Sequence, residues 1–200
     1  AAAMFANDGS LNMTNLRTMG YVRTQSASDF TTDSAASGTS YATGCKTSNR
    51  VLGLDSEGNR VANIIEKLSS KGYATGVLST DYMDGCTPAA FFAHQKDRGM
   101  SKEIWSDLAS SSLNFASAGN REAFERLPEY VRDSISGSFD VVFSLTDAPP
   151  TDKLVYLPER GECDSVNNPE RKDFLPATTA FAIDYLQKIS KIFRLYSLQQ

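Results

Sequence analysis

"NRVANIIEKLSSKGYATGVLST", residues 59–80, joins two patterns of different period. Asn59 is placed to cap a helix, Val61, Ile64, Ile65 and Leu68 recur as one apolar stripe, and Gly72 ends it, which predicts a helix over 59–72. The next eight residues, "YATGVLST", are short, apolar and partly β-branched, which predicts a strand over 73–80. A helix running directly into a strand is half of an α/β repeat. Whether the repeat continues on both sides decides the fold.

It does continue. On the N-terminal side, "GYVRTQS" (20–26) alternates weakly and reads as a strand, and 35–43 could open a helix. On the C-terminal side, "CTPAAFFAHQKDRG" (86–99) predicts a helix with Thr87 as N-cap, Pro88 at the first helical position and Gly99 as its stop. A helix over 101–110, a strand over 113–116, a helix over 121–133 and a strand over 139–145 follow. Residues 146–172 break the rhythm with Pro149, Pro150, Pro158 and Pro169, and read as an irregular excursion inside one domain. A last helix from about Pro176 to Lys188 precedes a strand over 192–197. The expectation is an α/β fold, a largely parallel central sheet with helices on both faces, filling a single incomplete domain over 1–200. The chain does not begin with Met and its final strand looks like an inner one, so the domain is expected to be truncated at both ends.

Composition narrows the function classes. A net charge of −4 with scattered basic residues and no Lys/Arg-rich run argues against nucleic acid as a partner. No apolar run approaches a membrane span, and no signal peptide is visible. Cys45, Cys86 and Cys163 are too far apart for metal-ligand spacing, and an odd count makes no disulfide framework, so the redox compartment stays open. There is one histidine, His94, so chemistry that needs several imidazoles cannot be completed by this chain alone.

Two features point at phosphate. "TTDSAASGTS" (31–40) sets Ser34 at an expected strand-to-helix junction, where free N–H groups and the positive end of a helix dipole suit a phosphoryl group. Its neighbours Ala35, Ala36, Ser37 and Gly38 are small enough for a substrate and metals to come close. Arg98 closes the helix expected from Thr87, and a guanidinium can grip two phosphate oxygens at once. An exposed arginine is the ordinary state, however, and spacing alone does not bring Arg98 to Ser34.

"TDSAASGT" (32–39), "ATGCKT" (42–47), "NRVLGLD" (49–55), "GYATGVLST" (72–80) and "TPAAFFAHQKDR" (87–98) resemble the alkaline phosphatases, in that order and at familiar separations. "FLPATTAFAIDYL" (174–186) resembles a later helix of that family more loosely. Thr31 departs from the nucleophile signature, which has an aliphatic residue there. The resemblance implies the family's three-layer sandwich and a metal-dependent phosphomonoesterase. Ser34 would be the zinc-bound nucleophile that is phosphorylated transiently, and a second zinc would generate the hydroxide that releases phosphate. Arg98 would bind the non-bridging oxygens, Asp33 would orient it, and Thr87 would ligate magnesium at a third site. Two zinc ions and one magnesium are the cofactors implied. A homodimer and a periplasmic or extracellular location are implied in the same way.

Each assignment has a plainer counterpart. Ser34 could simply cap a helix, Thr87 caps one with or without a metal, and His94, within an apolar helix, reads as structural. The family commonly carries Asp or His two residues before its Thr-Pro pair. This chain has Gly85 there, and Asp84, otherwise a solvated loop acid, is the neighbour that could stand in. The regions from which the family draws its zinc ligands are missing, so the expectation is that this chain cannot complete its zinc sites and is inactive alone. A Ser-His-Asp hydrolase is disfavoured by the absence of a G-x-S-x-G elbow, and a sulfatase by the absence of Cys-x-Pro-x-Arg. The remaining alternative is a non-catalytic remnant that binds phosphate or a partner subunit.

Overall fold

The computed structural model describes residues 2–18, 20–161, 163 and 174–190, and the backbone of 193–198. In chain order the helices are α1 (Ala2–Ala6), α2 (Ser34–Thr43), α3 (Ile64–Ser69), α4 (Cys86–Ala89), α5 (Ser101–Ser110), α6 (Arg121–Arg126), α7 (Glu129–Ser138) and α8 (Phe174–Ile189). The strands are β1 (Ala74–Tyr82), β2 (Phe115–Gly119), β3 (Asp140–Val142), β4 (Leu154–Tyr156) and β5 (Phe193–Leu198). They form one sheet in the order β3-β4-β2-β1-β5. Every pairing is parallel.

Side chains alternate across a strand, so one sheet has two faces to cover. On one face Ala74, Phe115, Val142 and Leu154 pack with Ala182, Tyr185 and Leu186 of α8. On the other, Val77, Ala116 and Val155 pack into a larger cluster with Ile104, Trp105 and Leu108 of α5 and Val131 and Ile135 of α7. This is the three-layer α/β arrangement expected from the alternation. Among the described residues no helix is long and apolar enough to cross a membrane.

Several local expectations are corrected. Residues 20–26 form no strand; Tyr21 and Val22 stand exposed, with no neighbouring strand to pair. The helix expected from Asn59 begins at Ile64. Asn59 instead closes a turn on Asp55, which takes its N–H at 2.9 Å, and Asn63 makes the true cap in a capping box with Glu66. The helix expected over 121–133 is split by Pro128, which cannot donate to the preceding turn. The excursion at 146–172 contains β4, an inner strand; residues 162 and 164–172 lie outside those described.

The helix expected over 86–99 matters most. Only Cys86–Ala89 is helical, capped by Gly85 rather than Thr87. Gln95 leaves the helical path to pair antiparallel with Leu52, each N–H donating to the other's carbonyl at 2.9 Å, and Arg98 N–H donates to Arg50 O at 2.7 Å. That short ladder, not a helix, delivers Arg98.

Gly53 makes the ladder possible. Its φ is +64°, and a Cβ there would lie 2.2 Å from Ala93 O and 2.7 Å from the His94 ring. Gly53→Ala is therefore expected to lower stability by at least about 2 kcal/mol, combining left-handed strain with a backbone clash. Chemical denaturation measures it, and an unchanged midpoint would refute the packing described.

Candidate active site

α2 begins with its cap. Asp33 Oδ1 accepts Ala36 N–H at 2.9 Å, so Asp33 rather than Ser34 is the N-cap, and Ser34 is the first helical residue. The N–H groups of Ser34 and Ala35 then have no acceptor within the helix and remain available to an anion. A loop stands where the sequence suggested a strand before Ser34.

The other carboxylate oxygen, Asp33 Oδ2, accepts Arg50 N–H at 3.0 Å and Arg98 Nη1 at 3.4 Å. Asn49 completes the clamp by accepting Asp33 N–H through Oδ1 and donating through Nδ2 to Thr31 O. Arg98 Nη1 also donates to Ser34 Oγ at 3.0 Å. The structure thus brings Ser34, Asp33 and Arg98 together, although Arg98 lies 64 residues further along the chain than Ser34. Next to Arg98, Asp97 is gripped by Arg50 through two N–H bonds of 2.7 and 2.9 Å. The Arg50 guanidinium holds the Asp97 carboxyl below its usual pKa.

The small residues after Ser34 serve packing more than access. Ala35, Ala36 and Gly38 are buried, and a Cβ on Gly38 would lie 3.0 Å from Ala90 Cβ, so α2 and α4 approach closely there. Ser34 and Ser37 keep partial exposure. The approach of α4 sets Cys86 Sγ 3.1 Å from Ser34 Oγ, a contact the sequence did not suggest. Asn49 was also missed as a site residue; it stands within the quoted "NRVLGLD" stretch, but nothing local marks it as a clamp.

Thr87 lies half-buried on α4, one residue past Cys86. Asp84 does not replace the side chain missing at Gly85: its Oδ1 accepts Asn120 Nδ2 at 2.7 Å, and its Oδ2 accepts the Ser101 hydroxyl. The acid lying over Gly85 is Asp81, whose Oδ2 would be 2.3 Å from a Cβ there. Among the described residues there is no group of three or more His, Cys, Asp or Glu able to hold a metal ion. The described residues around Ser34 therefore do not by themselves make up a zinc centre.

His94 is no base for Ser34, whose side-chain partners are Arg98 and Cys86. Its Nε2 donates to Val61 O at 3.1 Å and lies 3.7 Å from Glu66 Oε2. Burial lowers its pKa, and Glu66 offsets that only in part. The unfolded chain, with an ordinary histidine, then binds the proton first. Stability supplied by neutral His94 is present above about pH 6.5 and is lost as pH falls from there toward the folded pKa. Thermal denaturation across pH 7 to 5 should show the melting temperature falling, with a shallower fall in His94→Gln. Equal slopes in the two proteins would refute this.

The family model for alkaline phosphatase matches residues 1–143. Alkaline phosphatase 4 of Bacillus subtilis is 43% identical over 67 residues, which is 34% of this chain and 14% of that protein. The structure of alkaline phosphatase from the Antarctic bacterium TAB5 superposes with a TM-score of 0.90 at 27% identity, covering 99% of this chain and 60% of that one. A variant of the TAB5 enzyme with magnesium bound in its M3 site also has a TM-score of 0.90 and is covered to 59%. The chain thus spans less than two thirds of each.

Proposed function

Because this chain belongs to the alkaline phosphatase family, we propose that the protein is a metal-dependent phosphomonoesterase acting through a phosphoserine at Ser34. The observation that carries the reading is Arg98 Nη1 at the head of α2, which donates both to Ser34 Oγ and to Asp33 Oδ2. Ser34 is the nucleophile, placed where the helix dipole and unpaired N–H groups favour the added phosphoryl group. Arg98 binds the non-bridging oxygens, and Asp33 holds its guanidinium toward Ser34. Two zinc ions and one magnesium complete the proposal; bound metals of this kind lower the pKa of a serine or water and offset phosphoryl charge. Thr87 offers magnesium a hard oxygen. The described residues do not complete the zinc sites, so we assign no step to zinc here. The substrates are phosphate monoesters; a homodimer and a periplasmic or extracellular location belong to the same proposal.

That the described residues hold no group of three or more metal-ligating side chains favours a second reading, a chain that binds phosphate or a partner without turnover. Hydrolysis of a chromogenic phosphate ester at alkaline pH separates the two. The full-length protein, loaded with zinc and magnesium, is expected to turn over and to lose activity to a chelator, whereas residues 1–200 alone are expected to show little. Ser34→Ala should abolish the phosphoenzyme and most turnover. Arg98→Ala should weaken phosphate binding about tenfold, the value of a charged hydrogen bond. Full activity in Ser34→Ala would overturn the nucleophile assignment. Robust turnover by 1–200 would overturn the account of the missing ligands.

A further inference from the structure

We propose that Cys86 is a positioning residue for Ser34: its thiol is the second fixed hydrogen-bond partner of Oγ and holds that oxygen in register with the Arg98 guanidinium. The inference rests on the phosphatase reading for its catalytic meaning and on geometry for the contact itself. Among the described residues Oγ has two side-chain partners, Arg98 Nη1 at 3.0 Å and Cys86 Sγ at 3.1 Å. A guanidinium only donates, so the hydroxyl hydrogen of Ser34 cannot point at Arg98. Neither Asp33 oxygen is hydrogen-bonded to Ser34 Oγ: Oδ1 accepts from Ala36, and Oδ2 from Arg50 and Arg98. Among the described residues the sulfur is the acceptor that remains for the Ser34 hydrogen.

The sulfur is itself held in place. Cys86 is 3% exposed and opens α4, which Gly38 and Ala90 lock against α2. Its backbone is fixed with the helix, and its burial leaves the sulfur little room to change rotamer. A serine side chain has three staggered positions, and a donor and an acceptor both in reach of Oγ favour the one that meets them together. A thiol is also a weak acceptor, so it orients the hydroxyl without binding its hydrogen as firmly as a carboxylate would. Orientation is obtained while the oxygen stays free to react.

Two measurements test this. In the first, the S–H stretching band of Cys86 is read by Raman spectroscopy on the chain, assigned by its absence from Cys86→Ser, with Cys45 and Cys163 as internal references. Ser34→Ala is expected to shift the Cys86 band and leave the other two in place; an unmoved band overturns the contact. In the second, the metal-loaded full-length protein hydrolyses a chromogenic phosphate ester. Cys86→Ala is expected to lower kcat about fivefold at unchanged KM, the worth of one modest hydrogen bond, and Cys86→Ser to restore it. Equal kcat in wild type and Cys86→Ala, or equal losses in the Ala and Ser variants, reduces Cys86 to packing and overturns the inference. A wild-type protein that forms no phosphoserine overturns the phosphatase reading and the catalytic half of this inference, and a band that still answers to Ser34→Ala tells that failure apart from loss of the contact.

Discussion

The Asp33 carboxylate is the joint of the structure around Ser34. One oxygen caps α2; the other takes the Arg50 amide and the Arg98 guanidinium. Three segments distant in sequence are therefore fixed by one side chain: the head of the helix, the loop at 49–50 and the turn at 97–99. The ladder between 50–52 and 95–98 depends on the same joint, because Arg50 is at once the residue that Asp33 holds and the partner of Arg98. A cap alone contributes about 1 kcal/mol. The larger consequence is geometric, since the orientation of Arg98 follows from it.

What was legible in the sequence was what periodicity carries. The alternation of helix and strand gave the layered fold, and α5 and α8 came within a few residues of their expected bounds. Failures occurred where a polar residue had two possible uses. Asn59 and Asn63 are both good caps; only Asn63 has Glu66 three residues on, and that capping box was the readable signal. The run 86–99 carries helix formers at Ala89, Ala90, Ala93, Gln95 and Lys96, yet pairing with 50–52 outweighs local preference after Ala89. β4 was hidden because three residues between prolines show no period at all.

The site was legible in a different way. Ser34, Asp33 and Arg98 were named from motifs, and the fold brings them together, but by a route no motif describes. An α-helix from Thr87 to Arg98 would rise about 16 Å and set the two ends apart. In the ladder the chain turns back toward Asp33 instead. Cys86 and Asn49 escaped notice because their roles come from partners 52 and 16 residues away. Periodicity within a window cannot report such contacts.

The electrostatics of the site show what a phosphate bound at Ser34 would still lack. Arg98 is the cation at Ser34, but its charge already faces the Asp33 carboxylate at 3.4 Å, and the pair is close to neutral as a unit. A phosphate monoester brings up to two negative charges. The helix head supplies roughly half a positive charge, screened where it meets solvent. Arg98 is about one third exposed, so water weakens its attraction further. Such a site can orient a phosphoryl group but leaves most of its charge uncompensated. Cations beside Ser34 would supply the difference, and the partial exposure of Ser34 and Ser37 leaves room for them on that side. The small buried residues behind Ser34 pack against α4, and Cys86 lies 3.1 Å from its oxygen, so that side of Ser34 is taken up by protein.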